Sequence, residues 1–306
     1  MALAAGSFGV ANRALRVAAV AALGLSVAAV AALGLSTVRC GRSGSSPSVR
    51  PPTPGPAKRV VALAPNLTEI VFALGAGSSL VGVSEFSDYP DAARSIPRVG
   101  GLEVSAERVA SLTPDLVLAT AEGGNRKGAV SALEASGLPV LVVPGGSLDE
   151  VLAGIELVGR RLGREAEGRR LMRALEERRE AVRRSVASRP RPRAVLLVWP
   201  DPPSAAGGGT FLDDVLTEAG AQNLLSSRRG WPVVSAEWLA TAPIEVAVIP
   251  DSPVNRPVFE RAFAAGALSR GSIAAARVIR VDESALTRPG PRVFDALEQL
   301  ARELSP

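Results

Sequence analysis

Val104-Ser105-Ala106-Glu107-Arg108-Val109-Ala110-Ser111-Leu112-Thr113-Pro114-Asp115-Leu116-Val117-Leu118-Ala119 opens on the same four residues as Val234-Ser235-Ala236-Glu237-Trp238-Leu239-Ala240-Thr241-Ala242-Pro243-Ile244-Glu245-Val246-Ala247-Val248. Each stretch reads as a serine helix cap, a two-turn helix, a proline break and a buried apolar strand. Two like units in the two halves of one chain predict two lobes of similar build. A cleft between such lobes is where a ligand would sit.

Upstream of the first copy, Arg59-Val60-Val61-Ala62-Leu63-Ala64 reads as an apolar strand stopped by Pro65, with Asn66 and Glu69 as a capping pair for the helix Leu67–Leu74. Gly75 and Gly77 end that helix before the strand Leu80–Val83, and the loop Ser87-Asp88-Tyr89-Pro90 follows. Beyond the strand Asp115–Ala119, a helix near Lys127–Ala135 and the strand Pro139–Val143 complete residues 58–147 as the N-terminal lobe. Residues 148–189 read as connecting helices broken at Gly163. The second piece, Glu165–Ala187, is about 34 Å long at 1.5 Å per residue, enough for a rigid strut. Residues 190–306 repeat the alternation as the C-terminal lobe: strands Arg193–Trp199, Glu245–Ile249 and Arg277–Val281, helices Phe211–Ala219, Trp238–Thr241, Val258–Ala265 and Arg292–Leu304. The fold class expected is α/β, two Rossmann-like lobes with parallel sheets joined by one long backbone helix.

The chain has 306 residues, 47% of them apolar but only 4% aromatic, so an aromatic on a loop is informative. There is no histidine and one cysteine, Cys40. That composition removes disulfides, structural zinc, Ser-His-Asp triads and Cys-His dyads. A carboxylate-dependent cell-envelope enzyme survives as an alternative, with Asp88, Glu103 and Glu122 as its supply of acids. The net charge of +5 is almost all arginine. Its densest run, Arg160–Arg193, is interleaved with Glu165, Glu167, Glu176, Glu177 and Glu180, and pairs such as Glu165/Arg169 and Glu180/Arg184 fit a solvated helix face rather than a nucleic-acid surface. Gly123-Gly124 and Gly207-Gly208-Gly209 lack the lysine and spacing of a nucleotide loop and read as turns.

Residues 1–40 read as an export signal or membrane anchor. Arg13 and Arg16 precede an uncharged run, Val17–Val38, that contains Val-Ala-Ala-Val-Ala-Ala-Leu-Gly-Leu-Ser twice in tandem. Lipidation at Cys40 and an uncleaved helix are both open, with Arg39 unfavourable for the former, and simple cleavage and release is the third reading. Residues 41–57, rich in Ser, Pro and Gly, read as a flexible tether. The expected location is periplasmic or the outer face of the cytoplasmic membrane.

Taken in order, the segments Arg59–Glu69, Val81–Ser84 with Ser87–Pro90, Ala106–Val109 with Thr113–Val117, Asp201-Pro202-Pro203, Trp231–Ser235 and Thr287–Arg292 resemble the helical-backbone (class III) periplasmic binding proteins of ABC importers. The resemblance runs from Arg59 to Ser305 and is greatest to the cobalamin-binding receptors. It implies a non-enzymatic, monomeric receptor that captures a corrinoid and delivers it to the importer's membrane subunits. Haem or a ferric siderophore is the alternative ligand, and the chain would have no cofactor of its own. Ligand contact is implied for Tyr89, Trp231, Trp199, Asn66, Leu102, Asn125 and Arg288, with Arg292 beside it. Importer docking is implied for Glu107 and Glu237. Gly101-Leu102, Ala121-Glu122 and Ser204 stand where the cobalamin receptors carry aromatics, so half of that aromatic cage is missing.

Overall fold

The computed structural model describes residues 55–101, 103–121 and 126–305. The first lobe runs β1 (Val60–Ala62), α1 (Pro65–Ala73), β2 (Leu80–Val83), α2 (Ala106–Ser111), β3 (Leu116–Thr120), α3 (Arg126–Ala135) and β4 (Val140–Val143). Its four strands lie parallel in the order β2-β1-β3-β4. Two helices follow, α4 (Leu148–Arg161) and α5 (Glu165–Val186).

The second lobe runs β5 (Arg193–Pro200), β6 (Pro203–Ala205), α6 (Phe211–Glu218), β7 (Gln222–Asn223), α7 (Ala236–Thr241), β8 (Val246–Asp251), α8 (Arg256–Ala265), α9 (Gly271–Ala275), β9 (Arg277–Asp282), α10 (Glu283–Thr287) and α11 (Val293–Glu303). Strand β5 lies between β8 on one side and β7 on the other, and β8 pairs β9, all parallel. The order β7-β5-β8-β9 therefore repeats β2-β1-β3-β4. In each lobe the helix carrying Val-Ser-Ala-Glu leads into the strand beside the lobe's first one. The short β6 adds an antiparallel edge against the end of β5, a turn-back that its Pro-Pro sequence did not advertise.

The period-two alternation of the strands sorts residues onto two faces. Val60, Ala62, Ala194 and Leu196 join one core that continues through α1, α4, α6 and α11 and includes Leu175, Val182 and Val186 of α5. Val61 and Leu63 face a separate cluster in the first lobe, and Val195 and Leu197 one in the second. The strut is thus part of the shared core. At about 33 Å for its 22 residues it is long enough to serve both lobes.

The charge run on α5 is not wholly a solvated face. Arg179 is 4% exposed and reaches Asp149 on α4 and Glu218 on α6, at 2.5 and 2.7 Å. Arg178 holds Asp295 and Glu298 of α11. Glu180 pairs with Arg183 rather than Arg184, because Arg183 lies on the side that also meets Glu218. The ion pairs found do not include Glu165/Arg169; Glu167, two residues on and less exposed than Glu165, takes Arg164 and Arg170 instead.

The start of α1 also differs from expectation. Pro65 is its first residue and Ala64 its cap, with no side chain capping it. Proline is tolerated there because its missing N–H would have had no helical partner. Asn66 and Glu69 are thereby freed for contacts across the lobes. The other end follows the glycine signal: Gly75 takes φ +69°, and the Ala76 and Gly75 amides close back on Val71 and Phe72. Among the described residues no helix is long and apolar enough to cross a membrane. Cys40 and the 1–40 segment lie outside the described residues.

Candidate functional site

In sheets of parallel strands, ligands collect beyond the C-terminal strand ends. Those ends carry the exposed aromatics of this molecule. Tyr89 (48% exposed) and Phe86 (47%) lie in the loop after β2, Trp199 (42%) at the end of β5, and Trp231 (46%) in the loop before α7. Large rings left half in water on both lobes are unusual and offer flat apolar area. Phe86 was not singled out by sequence, since Glu85-Phe86-Ser87 carries no apolar period. Its ring packs over Gly101, where a Cβ would stand 3.1 Å from the ring edge and 2.9 Å from the Glu85 carboxylate.

The Tyr89 loop is braced from three directions. Ser87 shares hydroxyl hydrogen bonds with Thr68 of α1 and with Ser84, both at 2.9 Å. Arg98 donates to the carbonyls of Ser84 and Ser87 at 2.9 and 2.6 Å. From the second lobe, Arg288 donates to Asp88 at 2.7 Å, and the Arg292 guanidinium lies over the Tyr89 ring, 4.1 Å from its centroid. Burial would push the Asp88 carboxyl up, but the Arg288 hydrogen bond and charge hold it below the ordinary aspartate value.

Both arginines are held in turn by Glu69, whose side chain is 2% exposed. It accepts from Arg292 at 2.9 and 2.7 Å, a bidentate pair, and from Arg288 at 3.2 Å. Glu69 belongs to α1 of the first lobe and the arginines to the segment joining α10 to α11, so this cluster ties the lobes at the ligand edge. Asn66 belongs to the same tie. It is 6% exposed and donates its amide to the Pro289 carbonyl at 3.1 Å, so here it is engaged between the lobes. Arg288 is mostly buried and spends one guanidinium nitrogen on Glu69 and Asp88.

In the second lobe, the glycine run shapes the aromatic surface. A Cβ on Gly207 would fall 2.0 Å from the Arg228 carbonyl oxygen, and one on Gly208 2.0 Å from that of Ser226. Backbone hydrogen bonds Gly207 N to Gly230 O and Gly208 N to Arg228 O fix the Trp231 loop against this run. Trp231 and Phe211 pack in an edge arrangement, 6.2 Å between centroids, and Trp231 stays half exposed. Trp199 donates its indole N–H to the Asp201 carbonyl at 2.7 Å.

Glu107 and Glu237 occupy equivalent positions. Ser105 and Ser235 cap their helices through the amides of Arg108 and Trp238, and each glutamate stands exposed in the first turn. Neither forms an ion pair with a described residue. Leu102, Asn125 and Glu122 lie outside the described residues. Of the acids weighed for catalysis, Asp88 is engaged by Arg288 and Glu103 is exposed. Among the described residues no cluster of acids or cysteine is arranged to hold a metal ion.

The family described as periplasmic binding protein matches residues 60–264. The chain belongs to this family. It is a helical-backbone (class III) periplasmic binding protein of ABC importers. It is 30% identical over 255 residues to the ABC transporter substrate-binding lipoprotein YvrC of Bacillus subtilis (strain 168), covering 81% of this chain and 80% of that one. The periplasmic heme-binding protein RhuT of Roseiflexus sp. RS-1 superimposes with a TM-score of 0.72 at 27% identity, over 81% of this chain and 97% of RhuT. The periplasmic vitamin B12 binding protein BtuF of Vibrio cholerae gives 0.70 at 28% identity, over 81% and 96%. The chain is therefore an extracytoplasmic substrate-binding protein of a binding, not catalytic, family.

Proposed function

We propose that this binding protein captures a corrinoid between its lobes and hands it to the importer. The observation that carries the reading is the set of half-exposed rings, Tyr89 and Phe86 on one lobe and Trp199 and Trp231 on the other. A large flat macrocycle is held by such faces through area burial and dispersion, without a fixed hydrogen-bond pattern. Phe86, whose ring lies against Gly101, supplies aromatic area in the segment where the resemblance to the cobalamin receptors implies a tryptophan. Similarity to BtuF supports the same ligand class. Glu107 and Glu237 then present one unpaired carboxylate from each lobe to basic groups on the two membrane subunits, a reversible and orienting contact. Tethering, by a lipid on Cys40 or by an uncleaved 1–40 segment, keeps the receptor at the membrane.

Haem is the second reading, favoured by one contact. Tyr89 stands half exposed with the Arg292 guanidinium over its ring, and tyrosine is one of the side chains that ligate haem iron.

Titration of the purified protein with cyanocobalamin and with hemin, followed by tryptophan fluorescence and visible absorbance, tests both. Corrinoid binding that weakens about tenfold on Trp231→Ala, roughly 1.4 kcal/mol, fits the primary reading. No response to cyanocobalamin at micromolar levels, with a hemin spectrum that Tyr89→Phe abolishes, would overturn it in favour of haem.

A further inference from the structure

Next to the Tyr89 loop the structure holds a cavity of about 670 Å³ that the aromatic site does not use. Asp88 and Arg288 form its near wall, while their neighbours Tyr89 and Arg292 do not line it. The rest comes from the C-terminal ends of β8 and β9, the loop from β8 into the start of α8, α10, and Gln299 of α11. Its volume lies within the range of sites that bury a drug-sized ligand, roughly 300–1,000 Å³.

The lining is polar and of mixed sign. Asp251 is spent on a bidentate pair with Arg256, and Asp88 on Arg288. Arg280 and Glu283 form no ion pair with any described residue, and the Ser284 hydroxyl forms no hydrogen bond with one. An unpaired cation, an unpaired carboxylate and a hydroxyl on one wall suit a group that carries both anionic and hydroxyl or amide functions. They do not suit a bare apolar macrocycle, whose burial would leave these polar groups without water or partners.

We propose that this cavity takes the polar nucleotide arm of a complete corrinoid, with Arg280 toward its phosphodiester and Glu283 and Ser284 toward its sugar hydroxyls. The inference rests on the corrinoid reading and extends it. The rings hold the macrocycle, and the cavity selects the ligand that carries the arm. Asp88 and Arg288, shared between the two regions, mark where the arm leaves the macrocycle edge.

The purified full chain is titrated with cyanocobalamin and with dicyanocobinamide, which has the macrocycle but lacks the nucleotide arm. The expected result is at least tenfold weaker binding of the cobinamide. Arg280→Glu and Ser284→Phe should each lower cyanocobalamin affinity about tenfold and leave dicyanocobinamide affinity unchanged. Equal affinity of the native protein for the two corrinoids overturns the cavity assignment and leaves the corrinoid reading standing. The same holds if the substitutions weaken both ligands alike. Binding of neither corrinoid by a protein of native circular dichroism overturns both.

Discussion

Two buried ion clusters join parts of this molecule, and they differ in what else they touch. On the strut, the Arg179 cation is ringed by Asp149, Glu176 and Glu218, all on helices that pack around the shared core. At the ligand edge the signs are reversed, and the Glu69 carboxylate is gripped by Arg288 and Arg292. The partners of Arg179 reach no candidate ligand residue. The partners of Glu69 reach Asp88 and the Tyr89 ring. The same electrostatic device therefore fastens a scaffold in one place and shapes a binding surface in the other.

The strut cluster should give the largest loss when broken. Arg179→Met leaves Glu218 and Asp149 without their main cation, and removing one partner of a buried pair costs about 3–5 kcal/mol. For a chain of this size that is a fall in Tm of roughly 10 °C by calorimetry. Ligand affinity per folded molecule should stay unchanged. A Tm within two degrees of native would mean that the cluster is solvated in solution. Adding Glu218→Leu should recover part of the loss, because the stranded charge is then gone.

Glu69→Gln sharpens the other side of the contrast. The amide keeps the shape but gives up the charge and half of the bidentate grip on Arg292. A stability loss of about 1–3 kcal/mol is expected. Because Arg292 then loses its hold beside Tyr89, ligand affinity should drop roughly tenfold as well. Loss of stability with native affinity would make the Glu69 cluster as purely structural as that of Arg179.

The two clusters also mark where sequence stopped being legible. The lobes, the strut and the serine caps could be read because they follow from local rules: apolar period, cap residues, proline breaks. Glu69 could not. Its spacing from Asn66 matches a capping box, and only the arrival of Arg288 and Arg292, more than two hundred residues downstream, gives it a different role. Arg179 was hidden in the same way inside a run that looks uniformly solvated. Phe86 had no periodic context to reveal it. The repeated glutamates were legible because their position is set by a local cap. Tyr89 and Trp231 stood out because aromatics are so scarce in this chain.

A smaller effect is expected from crowding the second lobe's aromatic loop without touching its rings. Gly207→Ala drives a methyl into the Arg228 carbonyl, so the loop bearing Trp231 must shift by more than an ångström or the local strand must yield. Overpacking of this kind costs about 1–3 kcal/mol, here at the low end because the loop is exposed on one side. Cyanocobalamin affinity should fall several-fold by fluorescence titration, while Glu107- and Glu237-dependent uptake of whatever ligand is bound stays intact. Gly128→Ala, with open space at its Cβ, is the control that should change neither.

The smallest expected effect is a pH dependence, and its sign separates two carboxylates of α6, one of which belongs to the Arg179 cluster. Burial pushes the Glu218 carboxyl up, but hydrogen bonds from Arg179 and Arg183 outweigh it and hold the carboxyl below its ordinary value of 4.5. Its stabilising contribution is therefore complete above that value and is lost as pH falls through the depressed one. Asp214, one turn away, is shifted the other way. Burial raises its carboxyl above the ordinary 3.8, so protonation favours the folded form as pH falls through the raised value. Urea unfolding followed from pH 7 down to 3 should show stability lost below about pH 4.5, with part of the loss offset by Asp214. Glu218→Gln should flatten the acid limb, and Asp214→Asn should steepen it. An acid limb unchanged in both variants would place the acid sensitivity outside α6, in the other carboxylates that arginines hold low, such as Asp88, Asp149 and Glu298.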